Sequence, residues 1–199
     1  MRRKWMTLIL LTGCVLISCI GCQDKEYTKE EIYEKFQEQV LKIESYTCTA
    51  ELKVVGNKGE SSYTIKESYN KPDNYRLEII SPKNLKGQTI EYNDKKITIK
   101  NVDVNDSIDF PNKSKNMQYL FIGDFIKSYL QSENNEELAI NMSNEYLELE
   151  SKIKGDDKYF NKQKLYINLK DKNPDKMEII DKEGNIRFTV EYKNFEYKK

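Results

Sequence analysis

The chain switches between two hydrophobic periods, and each switch marks an element. In "TKEEIYEKFQEQVLKIESY", Ile32, Phe36, Val40 and Ile43 recur at spacings of four, four and three, which gathers them into one apolar stripe on a 3.6-residue turn. Thr28 with Glu31 three residues later is a capping-box start, so the spacing predicts a helix over about Lys29–Glu44. Glu34, Lys35, Glu38 and Lys42 fall on its other face, where solvation is expected.

Beyond Ser45 the period becomes two. Cys48, Ala50, Leu52 and Val54 alternate with polar neighbours, the signature of a half-buried strand. Tyr63, Ile65 and Tyr69 share a face of "ESSYTIKESY", and Tyr75, Leu77 and Ile79 share one of "YRLEII"; Pro72 separates the two runs because it cannot continue a central ladder. "QTIEY" and "KKITIKNV" read as a hairpin with Ile90, Tyr92, Ile97 and Ile99 inward. Five consecutive strands with short turns predict an antiparallel meander. Leu52, Val54, Ile65, Leu77, Ile79, Ile90, Ile97 and Ile99 are therefore expected to form its core or line a cavity in it.

The middle of the chain breaks the rhythm. "NVDVNDSIDFPNKSKN" is polar and reads as a loop, and in "MQYLFIGDFIKSYL" the residues Met117, Leu120, Phe121, Phe125, Tyr129 and Leu130 return to helical spacing. This second amphipathic helix is expected to pack on the open face of the sheet. Two other roles for Leu120, Phe121, Phe125 and Tyr129 remain open, a lid over an apolar cavity and a helix that binds a partner. Alternation resumes in "ELAINMS", "EYLELESKI", "KQKLYINLK", "DKMEII" and "NIRFTVEYKNFEY", between polar or Gly- and Pro-containing breaks. The fold class is thus α+β, mostly antiparallel β, with about ten strands and two helices. No repeat or linker divides residues 28–199, which are expected to form a single domain.

Ahead of this domain, Arg2, Arg3 and Lys4 precede an apolar run that begins at Trp5 and ends in small residues near Gly21. That order is a secretory leader, and the run is shorter than the roughly 20 residues of a spanning helix. Lipoprotein leaders end at a cysteine that follows small residues. Cys14 leaves too short an apolar segment before it. Cys22 sits where polarity begins and is the expected lipidation site, with Cys19 the runner-up. Residues 1–21 would then be removed and residues 22–27 would tether the domain through a diacylglyceryl group, two chains being what stable anchoring requires. Past the leader only Cys48 remains, so there is no disulfide framework and no thiol cluster for zinc.

Composition removes further classes. About 177 residues after Cys22 suit one domain with a real core. Three of the 33 basic residues lie in the leader, which leaves 30 against 33 acidic residues and a net charge near −3. A nucleic-acid partner needs a basic surface that this balance does not supply. Histidine is absent, and with it any histidine-based nucleophile system or zinc ligation. Glu148 and Glu150 alternate outward on one strand, where solvation is the default. Asp103, Asn105, Ser107 and Asp109 have calcium-loop spacing, but Ile108 replaces the required glycine and Ser114 the bidentate glutamate. No nucleophile elbow or phosphate loop is present. The sequence therefore points to no catalytic residue, no metal and no cofactor.

A helix after a lipid tether, a strand of the "YTCTAELKVV" type and then "KPDNYRLEIISPKNLKGQTIEYNDKKITI" resembles the lipoprotein-carrier fold shared by LolA and LolB. The resemblance covers about residues 28–100 well and the remainder by element order. It implies an open, strongly curved half-barrel sheet plugged by helices around an apolar cavity. Arg76 falls where the carriers have an arginine after the proline turn. Within that group, the tyrosine- and lysine-rich sequence, the lipobox and the length look most like the clostridial spore-germination lipoproteins of the GerS type. That resemblance implies a non-enzymatic partner for the amidase CwlD, which trims peptide from muramic acid so that cortex muramic-δ-lactam can form. It also implies a lipid-anchored location on the outer face of a membrane, in a sporulating cell the space between the forespore membranes.

Three functions stay in view: an accessory protein that binds and activates a cell-wall amidase, a carrier or sensor of a lipid or other apolar ligand, and an envelope lipoprotein that only positions others. An open sheet leaves a strand edge unpaired, and such an edge could accept a strand from the amidase or from a second copy in a homodimer.

Overall fold

The computed structural model describes residues 27–93, 96–101, 106–111, 115–126, 138–154 and 156–198. Cys19, Cys22 and Tyr129 lie outside them. Helix α1 spans Lys29–Leu41 and starts as its sequence dictates. The Thr28 hydroxyl accepts from the Glu31 N–H and the Glu31 carboxylate accepts from the Thr28 N–H, satisfying two donors that the first turn leaves orphaned. Ile32, Phe36 and Val40 are buried. The helix ends three residues earlier than its periodicity suggests, because the chain turns at Lys42 to enter the sheet. Ile43 is buried all the same.

The strands are β1 (Ser45–Gly56), β2 (Gly59–Asn70), β3 (Asn74–Ser81), β4 (Thr89–Tyr92), β5 (Lys96–Asn101), β6 (Asp106–Pro111), β7 (Leu138–Met142), β8 (Tyr146–Lys152), β9 (Lys162–Asn168), β10 (Pro174–Ile180) and β11 (Ile186–Lys198). They form one antiparallel sheet in the order β6-β5-β4-β3-β2-β1-β11-β10-β9-β8-β7. Two meanders, β1–β6 and β7–β11, therefore join where β1 pairs with β11, and β6 and β7 are the open edges. Since strand side chains alternate, one face of all this backbone turns inward. The buried residues of both meanders, of α1 and of residues 121–126 make one continuous cluster, so the sheet curves around a shared core.

Two expectations need correction. Residues 106–111, read as loop, form β6, paired with β5 from Lys96↔Pro111 to Asn101↔Asp106. Every residue of β6 is exposed; an edge strand needs backbone pairing but not burial, so it leaves little periodic signal. Among the described residues the strands accordingly number eleven. The mid-chain helix is not one amphipathic helix. Lys115–Leu120 form a 3-10 turn, Phe121 is extended (φ −97°, ψ 127°), and Ile122–Phe125 make a single α-helical turn, α2. Phe121 through Ile126 are buried all round, which makes this segment a plug inside the sheet.

Candidate functional site: the plugged inner face

Register arranges the inner face in rows. Tyr46 on β1 lies opposite Tyr197 of β11 and Tyr69 of β2; Tyr69 faces Tyr75, and Tyr75 faces Tyr92. Ring centroids are 5.6 Å apart for Tyr46–Tyr69, 5.0 Å for Tyr69–Tyr75 and 5.6 Å for Tyr75–Tyr92, within the range of favourable aromatic pairs. The next row runs Cys48, Glu67, Leu77, Ile90, Ile99. Beyond it stand Ala50, Ile65 and Ile79, and then Leu52 and Tyr63.

The later rows enclose a cavity of about 240 Å³ lined by Leu52, Tyr63, Ile65, Leu77, Ile79, Leu85, Ile90, Leu120 and Phe121. Of the predicted inward residues, Val54, Ile97 and Ile99 do not reach it; Ile97 is buried, while Val54 and Ile99 pack partly buried against the core. Leu120 and Phe121, from the plug, close its wall, and Phe125 is fully buried in the core.

Polar groups from three parts of the sheet hold the plug. Tyr92 on β4 donates from its hydroxyl to the Gln118 side-chain oxygen. Gln163, fully buried on β9, donates to the Tyr119 carbonyl at 2.8 Å. Between them, Glu67 Oε1 accepts from the Ile122 N–H at 3.2 Å and from the Tyr46 hydroxyl, which itself accepts from the Gly123 N–H at 2.9 Å. Side chains from β1 and β2 thus cap the first amides of α2, whose preceding residue is extended. Glycine is needed at 123 because a Cβ there would stand 2.7 Å from Tyr75 Cε1 and 3.2 Å from the Tyr46 hydroxyl.

Glu67 has no exposed surface, and its Oε2 has no hydrogen-bond partner among the described residues. Burial pushes its carboxyl up to about 7, against the Tyr46 hydroxyl and the Ile122 N–H, which favour the carboxylate. Tyr46 is raised well above its ordinary value, first by burial and then by the nearby Glu67 charge. Neither residue stands out in the sequence as a site. Their signal was the alternation itself: Glu67 occupies the inward position between Ile65 and Tyr69, and Tyr46 the one before Cys48.

The outer face is built differently. Arg76 points there and pairs with Glu91 at 3.1 Å and Glu78 at 3.3 Å. Glu148 pairs with Lys164 and Glu150 with Lys162, so both carboxylates belong to cross-strand ion pairs on that face. Asp109 of the rejected calcium spacing accepts from Lys96 and Thr98 instead, while Asp103 and Asn105 lie outside the described residues. Among the described residues, no group of three or more acidic or cysteine side chains is placed to hold a metal, and no helix is long and apolar enough to cross a membrane.

A family described as "Sporulation protein YdcC-like" matches residues 2–199. The curated Sporulation protein YdcC of Bacillus subtilis is 25% identical over 96% of this chain, which spans only 56% of that protein's length. Among solved structures, a chain from the structure of the CwlD amidase from Clostridioides difficile in complex with the GerS lipoprotein is 52% identical, with a TM-score of 0.55, over 88% of this chain and 99% of that one. An uncharacterized conserved protein from Thermus thermophilus shares the fold at 13% identity and a TM-score of 0.52, over 86% of this chain and 88% of its own.

Proposed function

The chain belongs to the YdcC-like family of sporulation proteins, and from that premise we propose that it is a non-enzymatic accessory lipoprotein that binds and activates a CwlD-like cell-wall amidase. The carrying observation is the 52% identity, over nearly the whole of the matched chain, to a component of a CwlD–GerS complex. In this reading the leader is removed, a diacylglyceryl group on Cys22 anchors the domain outside a membrane, and the amidase is recruited there to prepare the spore cortex for germination. The architecture suits that role. A large sheet offers a binding surface, and among the described residues its edge strand β6 leaves backbone groups unpaired beside the exposed Ile108 and Phe110.

An activator must bind the active form of its enzyme more tightly than the inactive form. The test is therefore the zinc affinity and turnover of the amidase with and without this protein, at concentrations where co-purification demonstrates the complex. Increases in both are expected; equal values in both conditions would leave only tethering. Cys22→Ser should abolish fatty-acyl labelling, and retention of the label in that variant with its loss in Cys19→Ser would move the anchor.

The cavity supports a second reading, a carrier or sensor of an apolar ligand, since nearly all of its wall is hydrocarbon. Solvent extraction and mass analysis of the purified protein separates the two readings.

A further inference from the structure

The plug raises a physical question that no partner answers. A chain that must cover a hydrophobic cavity needs only apolar contacts, yet here a glutamate with no exposed surface reaches the plug backbone. No lysine or arginine pairs with Glu67 among the described residues, and Oε2 lacks a hydrogen bond. Such a carboxyl is costly to bury in its charged form and cheap in its neutral form. Its contacts bear on the cavity directly. The Ile122 N–H that it holds follows Leu120 and Phe121 in the chain, and those two side chains form part of the cavity wall.

We propose that Glu67 and Tyr46 form a protonation-dependent latch that fastens residues 119–126 to β1 and β2 and so holds Leu120 and Phe121 in the wall of the apolar cavity. In the fastened state the neutral carboxyl accepts the Ile122 N–H and the Tyr46 hydroxyl through Oε1, and Tyr46 fixes the next amide, that of Gly123. Losing the proton leaves a bare charge in an apolar pocket, and that charge regains water only if the plug lifts.

The groups facing Glu67 reinforce this direction. Tyr46 and Cys48 on β1 and Tyr192 on β11 are themselves driven upward by burial and by the Glu67 charge, so all three are neutral across the relevant range. On the plug, Asp124 lies near Tyr75 of β3. None of these supplies a positive charge that would favour ionised Glu67 in the closed state.

The sign follows from linkage. The closed state holds the proton up to about pH 7, whereas a Glu67 wetted by opening would titrate near the ordinary 4.5. The latch is therefore at full strength below pH 4.5. It weakens about tenfold per pH unit from there to 7 and loses nothing more above 7. Acid fastens the plug and neutrality loosens it. This inference does not rest on the amidase reading.

The test is amide hydrogen exchange of Ile122 and Gly123 in the purified protein between pH 5 and 8, expressed as protection factors to remove the intrinsic chemistry of exchange. Protection should fall about fortyfold from pH 5 to 7 and then level, one proton being linked to opening. The amides of Leu149 and Leu165, in the other meander, should keep theirs. Glu67→Gln, neutral at every pH and still offering Oε1 as acceptor, should abolish the slope. Tyr46→Phe should lower Gly123 protection even at pH 5 while keeping the slope. A flat wild-type profile, an equal slope at Leu149 and Leu165, or a slope that survives in Glu67→Gln would each overturn the latch. If Glu67→Gln fails to fold, the wild-type profile with its internal control still decides.

Discussion

In the C-terminal meander Leu147, Leu149, Leu165, Ile167 and Met177 show no exposed surface, and α1 lies over β7 and β8 beside them. In the N-terminal meander Ile79 and Ile90 remain half-buried around a half-open cavity that the plug helps to line. The contrast extends to buried carboxyls. Asp181, after β10, is buried too, but the Asn185 N–H and side chain and the Arg187 guanidinium, 2.6 Å away, outweigh that burial and hold it down at about 2. Glu67, in the N-terminal meander, has no cation beside it among the described residues and is pushed the other way. One meander is thus packed and electrostatically paired, and the other keeps space and an uncompensated acid. Opening free energies differ across a fold in this manner, with regions that move drawn from the less tightly packed end.

The largest expected effect tests the packing contrast. Leu165→Ala, in a site that cannot collapse, should cost about 2–5 kcal/mol of unfolding free energy, whereas Ile90→Val at the cavity wall should lie near the low end of about 0.5–1.5 kcal/mol. Urea midpoints measure both, and equal losses would erase the distinction. Next, Gly123→Ala should destabilise by about 1–3 kcal/mol through overpacking against Tyr75, unless the plug simply detaches. Detachment would appear as gained dye binding to the cavity with little change in midpoint.

Thr28→Ala removes the cap of α1 and should cost about 1 kcal/mol. Because α1 covers the C-terminal meander, the loss should appear as faster exchange of β7 and β8 amides, with plug amides unchanged. The smallest effect is expected on the outer face. Breaking the partly exposed Glu148–Lys164 pair by Glu148→Gln should change stability by no more than about 1 kcal/mol, and less at high salt.

The pH dependence of stability sharpens the contrast in sign. Asp181, depressed in the fold, contributes stability that is present above about 3.8 and is lost as pH falls through 2. Glu67, raised in the fold, contributes stability that is present below about 4.5 and is lost as pH rises through 7. Asp181→Asn should therefore flatten the acid limb of the stability profile, and Glu67→Gln the limb approaching neutrality. The same limb flattened by both variants would mean that the two carboxyls are coupled.

Alternation along Cys48–Val54, Tyr63–Tyr69 and Tyr75–Ile79 settled which face of the first meander turns inward, because a strand's side-chain period leaves only two choices and apolar residues select one. The stripe from Ile32 to Ile43 and the Thr28–Glu31 cap likewise fixed α1, since both are local interactions written within one turn of chain. Tertiary structure decided the rest. It made residues 106–111 a strand only because β5 offered them a ladder. It broke the segment after Met117 at Phe121 because side chains of β1 and β2, more than fifty residues away, claim the amides of Ile122 and Gly123. It also gave Glu67 its character, for an inward glutamate in an alternating strand is only a misfit until the fold buries it and brings the Tyr46 hydroxyl and the Ile122 N–H to it. Hydrophobic period is a property of the neighbouring chain, whereas a hydrogen bond or an unpaired charge depends on which distant residue arrives, and only folding brings those residues together.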